Sequence, residues 1–295
     1  MEAEGRIVKA LSGFYYVKSG ETIFPCKGRG VFRKRKITPL VGDFVTFEHD
    51  HHREGYIMEV HRRTNQLVRP PIANVTQAMI VSSVVQPKFS SLLLDRFLTL
   101  IEHQSMTPII ILTKTDLLSE EERANIEQFK EDYEQIGYHV EFFSSTSPTN
   151  INAIKRYCEN EVTVLAGQSG VGKSTLLNTL KPSLQLKTAD ISGSLGRGKH
   201  TTRHVELVEI NGGLVADTPG FSALQFDEIE LQELTDCFPE FRKRKGECRF
   251  RACMHYKEPG CKIKKAVQEE QIKTYRYEHY VKFFEEIQSR KPRYS

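Results

Sequence analysis

The chain has 295 residues, with 42 lysines and arginines against 38 aspartates and glutamates, a formal net charge of +4 and six cysteines. This length exceeds the usual size of one domain, so we expect several domains, each able to bury a core. The longest apolar runs fall far short of a membrane span of about 20 residues, and the N-terminus carries no secretory signal. We therefore expect a soluble cytoplasmic protein and exclude the membrane-spanning and disulfide-rich secreted classes.

Charge is distributed unevenly along the chain. Residues 1–63 carry 12 basic against 8 acidic side chains, residues 64–222 carry 14 against 17, and residues 223–295 carry 16 against 13. We predict these three segments as three domains, with two net-positive flanks around a net-negative centre. Such flanks suit a partner with a phosphate backbone, although a solvated surface also accounts for charges of this size.

The N-terminal segment shows short β-rich runs at residues 6–17, 41–49 and 55–61, separated by glycines and charged turns. This pattern predicts a small β-barrel of the OB type, which binds looped or single-stranded RNA. Basic side chains are clustered at Lys27, Arg29 and residues 33–36, and Phe14, Tyr15 and Phe32 lie near them in the sequence. Because aromatic residues at strand spacing more often form core, the basic run is the stronger indication of RNA binding.

The next motif is Thr113-Lys114-Thr115-Asp116, which follows the apolar run 108–112. Doubly wound sheets bind ligands where parallel strands end, so Asp116 is a candidate acceptor for the N1–H and 2-amino group of guanine. Many GTPases have Asn where this chain has Thr113, whose hydroxyl can still support the loop. Ser144 and Ser145, after a predicted strand at 138–143, are the candidate second guanine contact. A solvated turn is the alternative for so short a motif.

A phosphate-binding loop follows between a predicted strand at 161–166 and a helix that begins near Ser174. Its glycines let backbone N–H groups approach phosphate oxygens, and the helix N-terminus adds its positive dipole end. We expect Lys173 to reach the outer phosphates and Ser174 to ligate magnesium. The predicted contacts to nucleotide are Gly167, Gln168, Ser169, Gly170, Val171, Gly172, Lys173, Ser174 and Thr175.

Two further segments complete the predicted phosphate site. The Gly-rich basic loop 193–202 holds Thr201 and Thr202, either of which is a candidate to close over magnesium when the third phosphate is present; a loop without function is the alternative. Asp217, at the end of a predicted strand, is expected to hold magnesium through water, and the N–H of Gly220 is expected to meet the γ-phosphate.

One side chain that GTP hydrolysis usually requires is missing from this sequence. Phe221 stands where many GTPases place a Gln that orients the attacking water, and a phenyl ring has no polar atom, so we predict slow intrinsic hydrolysis. His200 is the catalytic candidate for this role; contact with an RNA phosphate is its alternative.

The C-terminal segment opens with an acidic stretch, 227–234, that we predict to be helical. It also holds Cys248, Cys253, His255 and Cys261, four soft ligands within fourteen residues. Three thiolates and an imidazole fill a tetrahedral site, which predicts a structural zinc; disulfides are the alternative, disfavoured in the cytosol. Cys26, Cys158 and Cys237 follow no ligand spacing and are interpreted as small core or surface residues.

The guanine motif precedes the phosphate loop by about fifty residues, the reverse of the order in an ordinary GTPase. With Gly-Arg-Gly-Lys-His-Thr-Thr at 196–202, Asp-Thr-Pro-Gly-Phe at 217–221 and the cysteine and histidine cluster, the chain resembles the RsgA family, the ribosome small subunit-dependent GTPase A family. The resemblance spans nearly the whole chain. It implies an N-terminal OB-type barrel, a circularly permuted α/β P-loop GTPase domain and a C-terminal, mostly helical zinc domain.

The same resemblance implies an assembly factor that binds the small ribosomal subunit and its rRNA late in maturation and hydrolyses GTP to GDP there. We expect a monomer. Permutation sends the chain from Asp217 directly into the zinc domain, so hydrolysis is expected to move that domain. Two readings stay open: a P-loop ATPase or kinase, with an accidental Asp116 motif, and an RNA-binding protein with a vestigial nucleotide site.

Overall fold

The structure is a computed structural model that describes residues 1–50, 54–68, 70–147, 150–186, 205–221 and 224–290, with backbone alone at 33 and 217–221. Within these residues the predicted architecture is confirmed: an N-terminal barrel, a central parallel sheet between helices, and a C-terminal helical region with a cysteine and histidine cluster. None of the described helices is both long and apolar enough to cross a membrane.

Five strands form the N-terminal barrel: β1 (Glu2–Leu11), β2 (Phe14–Ser19), β3 (Thr22–Gly28), β4 (Phe44–Glu48) and β5 (Gly55–Val60). They are hydrogen-bonded in the order β1-β2-β3-β5-β4, and pairing of β1 with β4 closes the barrel. Alternate side chains point inward, so Ile7, Val17 and Phe47 are fully buried. A short helix, α1 (Gly30–Lys34), follows β3.

The β-rich run at 6–17 forms two strands of a hairpin. Ser12 and Gly13 turn the chain with φ of 52° and 85°, which places β2 antiparallel to β1. Among the aromatic candidates for RNA contact, Phe32 is buried in the core, as the alternative reading held. Lys27 lies over the Phe14 ring, 4.8 Å from its centroid, and pairs with Glu54.

The central sheet contains four consecutive parallel strands, β8 (Gln77–Ser83), β9 (Thr107–Thr113), β10 (His139–Phe143) and β11 (Val162–Ala166), after a small hairpin of β6 (Gln66–Leu67) and β7 (Ile72–Ala73). Then β12 (Glu206–Ile210) runs antiparallel to β13 (Gly213–Phe221), which is parallel to β11. The order is β10-β9-β8-β11-β13-β12, and β12 joins the barrel through β1.

Helices cover both faces of this sheet: α2 (Ser91–His103), α3 (Glu120–Ile136), α4 (Ile151–Tyr157) and α5 (Lys173–Leu180). Successive strand residues point to opposite faces, so Ile80 and Ile110 join one hydrophobic cluster while Val81 and Ile111 join the other. Burial on both faces explains why these strands read as continuous apolar runs in the sequence.

The C-terminal region contains α6 (Pro239–Arg242), α7 (Lys262–Gln268) and α8 (Thr274–Gln288), preceded by a 3-10 turn at Leu234–Cys237. The helix predicted at 227–234 was wrong: these residues form turns. The Glu233 carboxylate accepts a hydrogen bond of 2.9 Å from the backbone N–H of Glu230, so a side chain satisfies this donor locally in place of a helical carbonyl.

A buried charged network fixes the C-terminal helices to the central domain. Arg276 of α8, with 1% of its side chain exposed, lies 2.5 Å from Asp95 of α2 and 2.7 Å from Glu240 of α6. His279 Nδ1 lies 2.6 Å from the other Asp95 oxygen, and the Tyr133 hydroxyl donates to Asp95 over 2.8 Å. Because buried charges are costly without partners, this network holds α8 in one position against α2.

The basic run 242–245 contributes to the same interface. Arg242 pairs with Glu102 of α2 at 3.0 Å, and Lys243 donates to the Ile136 carbonyl at the end of α3 over 3.0 Å. Cations suit the C-terminal end of a helix, where carbonyl groups lack partners. Arg242 and Lys243 therefore link the C-terminal region to the central domain.

Substitution of Arg276 by Met tests the buried network. The variant leaves Asp95 and Glu240 buried without their cation, so we expect a loss of about 3–5 kcal/mol in the free energy of unfolding. Lys130→Met is the control, because it breaks an α3 surface pair with Glu134 and should cost about 0.5 kcal/mol or less. Urea denaturation measures both; equal losses would contradict the assignment.

Candidate functional site

The strand ends of the central sheet bring the predicted motifs to one edge. Thr113 ends β9 opposite Phe143 of β10 and Ser83 of β8, and Ala166 of β11 pairs with Ile80 of β8. All four strands are parallel, so the segments that follow them emerge on the same side. Residues 114–116, 144–146 and 167–172 are therefore neighbours in space despite their separation in the sequence.

The loop from Gly167 to Gly172 has a conformation that requires glycine. Gly167 has φ of 137°, and a Cβ atom there would lie 2.2 Å from the Val81 carbonyl oxygen. Gly172 has φ of 101° and precedes α5, which begins at Lys173. Because a helix leaves its first N–H groups without intrahelical partners, Lys173, Ser174 and Thr175 can offer theirs to an anion.

Lys173 lies inside the curve of this loop. Its ammonium donates to the carbonyl oxygens of Gly167 over 2.7 Å and of Gln168 over 2.5 Å. Burial lowers the pKa of Lys173 from its ordinary value. The loop thus surrounds a cation that anionic oxygens can reach, since Gln168, Ser169 and Gly170 at its tip are exposed.

Thr113 and Lys114 connect the guanine motif to the phosphate loop. The Thr113 hydroxyl donates to the Val171 carbonyl over 2.6 Å in a buried position. Lys114 has φ of 62°, and its ammonium donates to the Gly170 carbonyl over 2.9 Å and also to the Gln86 carbonyl. The sequence predicted only that a hydroxyl at 113 supports its own loop; its partner on the other loop is found only in the fold.

Asp116 lies in a single 3-10 turn, Thr115–Leu117, with an exposed side chain. Within the described part of the chain its carboxylate has no hydrogen-bond partner, so both oxygens are available. Ser144 is buried; its hydroxyl accepts from the backbone N–H of Thr146 over 3.2 Å and shares a 2.8 Å hydrogen bond with the Thr146 hydroxyl. Ser145 is exposed on the same turn.

Asp217 and Gly220 belong to β13, beside the strand that leads into the phosphate loop. The pairing of β13 with β11 shifts register between Val164 and Ala166, so that Phe221 faces Ala166. The side chains of 217–221 lie outside the described residues, as do His200, Thr201 and Thr202 altogether. Their predicted roles stay predictions.

The chain that leaves β13 is held by two arginines that sequence analysis missed. Arg96 of α2 donates to the Leu224 carbonyl over 3.0 Å and pairs with Glu286 of α8. Arg290 donates to the carbonyls of Phe226 and Ile229. No sequence pattern marks these residues, because their partners are backbone carbonyls distant in the chain.

Cys248, Cys253, His255 and Cys261 are brought together, with ligand atoms all within 4.8 Å of one another. His255 Nδ1 lies 3.6, 3.5 and 3.3 Å from the three sulfurs in chain order. Ligands about 2.3 Å from a tetrahedral zinc would lie about 3.8 Å apart, so the cluster fits this ion.

The electrostatics of the cluster also favour a cation. Burial raises the pKa of the Cys253 thiol to about 12 and lowers the pKa of His255. A neutral imidazole is the ligand form, whereas the thiolates need a positive ion among them. The backbone N–H of Lys262 donates to Cys248 Sγ over 3.3 Å and orients that ligand. Cys26, Cys158 and Cys237 are buried elsewhere.

Family models describe most of the chain. Residues 60–227 match the RsgA GTPase model, and residues 4–57 match the RsgA N-terminal domain model. The Small ribosomal subunit biogenesis GTPase RsgA 2 of Oceanobacillus iheyensis is 62% identical over 292 residues, which are 99% of this chain and 100% of that protein. A relative from a Geobacillus species, named Small ribosomal subunit biogenesis GTPase RsgA, is 59% identical over the same shares of the two chains.

Two solved structures have the same fold along the whole chain. One, described as YloQ, a circularly permuted GTPase, has a TM-score of 0.87 and 48% identity, covering 100% of this chain and 98% of that one. YjeQ from Thermotoga maritima also has a TM-score of 0.87, with 34% identity, covering 99% of this chain and 100% of that one. With its guanine motif ahead of its phosphate loop and both at one edge of the sheet, this chain belongs to the RsgA family of circularly permuted GTPases.

Proposed function

We propose that this GTPase acts in biogenesis of the small ribosomal subunit: it binds the subunit and its rRNA, hydrolyses GTP to GDP and phosphate there, and leaves when its GTP state changes. The observation that carries the proposal is the 62% identity, over the full length of both chains, to a relative named Small ribosomal subunit biogenesis GTPase RsgA 2. We propose a cytoplasmic monomer with domains at 1–63, 64–222 and 223–295.

In the nucleotide site, we assign the phosphates to residues 167–175, with Lys173 at the outer phosphates, and the guanine edge to Asp116, with Ser144 and Ser145 beside it. The exposed carboxylate of Asp116 and the loop that surrounds Lys173 support these roles. Guanine offers two donors to one carboxylate and adenine offers none, which argues against the ATPase or kinase alternative.

Magnesium would be held at the same site by the Ser174 hydroxyl and, through water, by the Asp217 carboxylate, and it would neutralise charge on the β- and γ-phosphates. Thr201 or Thr202 completes this group in the GTP state. His200 orients the attacking water, since Phe221 has no polar atom to do so. Zinc, held by the Cys248 cluster, folds the loops before α7.

Release of the subunit is coupled to hydrolysis through the chain that leaves Asp217. Arg96 of α2 and Arg290, which follows α8, bind carbonyl groups of the segment 224–229. A change in backbone position near Gly220 would therefore be transmitted to a segment that is anchored to the rest of the protein. We propose that by this route the GTP state shifts the C-terminal domain between the docked arrangement that the Arg276 network stabilises and a displaced one. Equal affinity of the GTP and GDP states for small subunits would contradict it.

Thr113→Val tests the connection between the two loops. The substitution keeps the side-chain shape but leaves the buried Val171 carbonyl without its donor, at a cost of about 1–3 kcal/mol. We expect GDP affinity to fall roughly 5- to 150-fold. Titration with a fluorescent GDP analogue measures this, and Thr113→Ser, which keeps the hydroxyl, should bind near the wild-type level. Equal affinity of the Val variant would exclude this role.

Metal analysis of the purified protein tests the zinc site. We expect one zinc per chain, and we expect Cys253→Ser to lose it together with helical signal in circular dichroism, because the ion folds its own surroundings. Cys158→Ala, at a buried cysteine of the central domain, should keep the zinc. A metal-free wild-type protein with intact C-terminal helices would leave the cluster without this function.

GTP hydrolysis with and without small ribosomal subunits tests the proposed function. We expect strong stimulation by small subunits alone, with large subunits and ATP as controls. Lys173→Ala should abolish turnover, which the vestigial-site alternative does not predict. His200→Ala should keep GTP binding but lose stimulated turnover. Bound GTP without stimulation would mean a different target, and full stimulation of His200→Ala would remove that residue from the reaction.

A further inference from the structure

The region around the zinc cluster is strongly positive in charge. Residues 242–265 contain ten lysines and arginines against two glutamates, a net charge of +8, whereas residues 223–295 as a whole carry 16 against 13. One of the two acids, Glu258, is engaged in hydrogen bonds to the backbone: its carboxylate accepts from the N–H groups of Met254 and Tyr256 over 2.8 and 2.9 Å. Such a surface suits a polyanion.

Eight of the ten cations divide into two groups; of the other two, Lys265 pairs with Glu269 at 3.4 Å and Lys257 lies over the Tyr256 ring. Arg242, Lys243, Arg244 and Lys245 are held by carboxylates and helix carbonyls of the protein itself. Within the described ranges, by contrast, Arg249, Arg251, Lys262 and Lys264 have no acidic partner at ion-pair distance, and Arg249 and Arg251 are exposed. The second group is therefore available to a partner.

An exposed aromatic ring lies between the two free arginines. Phe250 has 45% of its surface exposed, and the Arg249 guanidinium lies 5.6 Å from its ring centroid. Burying such a ring normally stabilises a protein, so an exposed Phe flanked by cations on each side points to a ligand with a flat face and negative charge. A nucleotide has both, because its base stacks and its phosphate pairs with arginine.

The loop that carries Phe250 is short and held at both ends. Cys248 and Cys253 belong to the metal cluster, and the N–H of Cys253 donates to the Phe250 carbonyl over 3.2 Å. Contact between Lys262 N and Cys248 Sγ places the start of α7 against the start of this loop. There Lys262, Lys264 and Lys265 line an open concavity of about 530 Å³.

We propose that Phe250 stacks on an unpaired base of small-subunit rRNA, with Arg249 and Arg251 on the flanking phosphates and the α7 lysines on the strand that continues from them. This inference rests on the proposed function for the identity of the RNA. Because this loop is held at both ends, the contact costs little backbone conformational entropy.

The absence of tryptophan from this sequence provides a direct probe. Phe250→Trp places a single indole on the loop, and titration of the full-length variant with protein-free small-subunit rRNA should quench its fluorescence by stacking. Val68→Trp, at a site with 63% exposure in the turn between β6 and β7, is the control and should not be quenched. Equal response of the two probes, or no quenching at Phe250→Trp, overturns the proposal.

Affinity measurements separate stacking from charge. Phe250→Ala and Phe250→Leu should each weaken rRNA binding about 5- to 150-fold, whereas Phe250→Tyr keeps it. Arg249→Gln/Arg251→Gln should lower the slope of log affinity against log salt by about 1.4, and Arg156→Gln on α4 should not. Zinc content and subunit-free GTP hydrolysis should match wild type throughout. If Phe250→Leu bound rRNA with the same affinity as the wild-type protein, the stacking contact would be contradicted.

Titration with polyglutamate distinguishes an RNA ligand from an acidic polypeptide. Quenching of Phe250→Trp by polyglutamate as strong as that by rRNA would overturn the proposal in favour of an acidic polypeptide. Failure of the wild-type protein to bind or respond to small subunits would refute the proposed function, and quenching by free rRNA would still decide the stacking contact separately.

Discussion

The hydrogen bond from the Thr113 hydroxyl to the Val171 carbonyl, 2.6 Å long and buried, joins two loops that the covalent chain keeps apart. In this permuted order, the guanine motif comes about fifty residues before the phosphate loop, so the sheet and the contacts between the loops set their distance. Four parallel strands end at one edge, and Lys114 adds a second bond, to Gly170. These contacts hold the two loops at one edge of the sheet, which is the arrangement that the proposed nucleotide site requires.

The C-terminal domain depends on the central domain in a different way. Two of its three helices are short, and we propose that zinc stabilises its cysteine and histidine cluster. Arg276 supplies the connection, since it is buried with Asp95 on one side and Glu240 on the other. A buried ion pair adds little net stability compared with apolar packing, yet it is strongly disrupted by loss of one partner. Such a network favours one docked arrangement over others, which suits a domain that presents a surface to a large partner.

Much of the site was predictable because phosphate binding and metal binding impose residue types at fixed spacing. Glycines at 167 and 172, a lysine at 173 and the cysteine spacing at 248–261 all correspond to local chemistry. The predicted helix at 227–234 failed because a side chain of the segment, Glu233, satisfies a backbone donor within it. The β-rich run at 6–17 did not show where its hairpin reverses, because β-propensity marks residue types and not the position of a turn.

The sequence by itself determined the family and the three-part architecture, and it predicted the phosphate loop and the metal ligands, since each follows from a pattern of neighbouring residues. Only the tertiary structure decided the partners of Thr113 and Arg96, the use of the 242–245 run inside the protein, and the exposure of Phe250. These contacts join residues distant in the chain, and no local pattern encodes them. The identity of a basic or aromatic residue does not show whether its side chain is packed in the core, ion-paired or exposed to solvent, because the surrounding structure decides this.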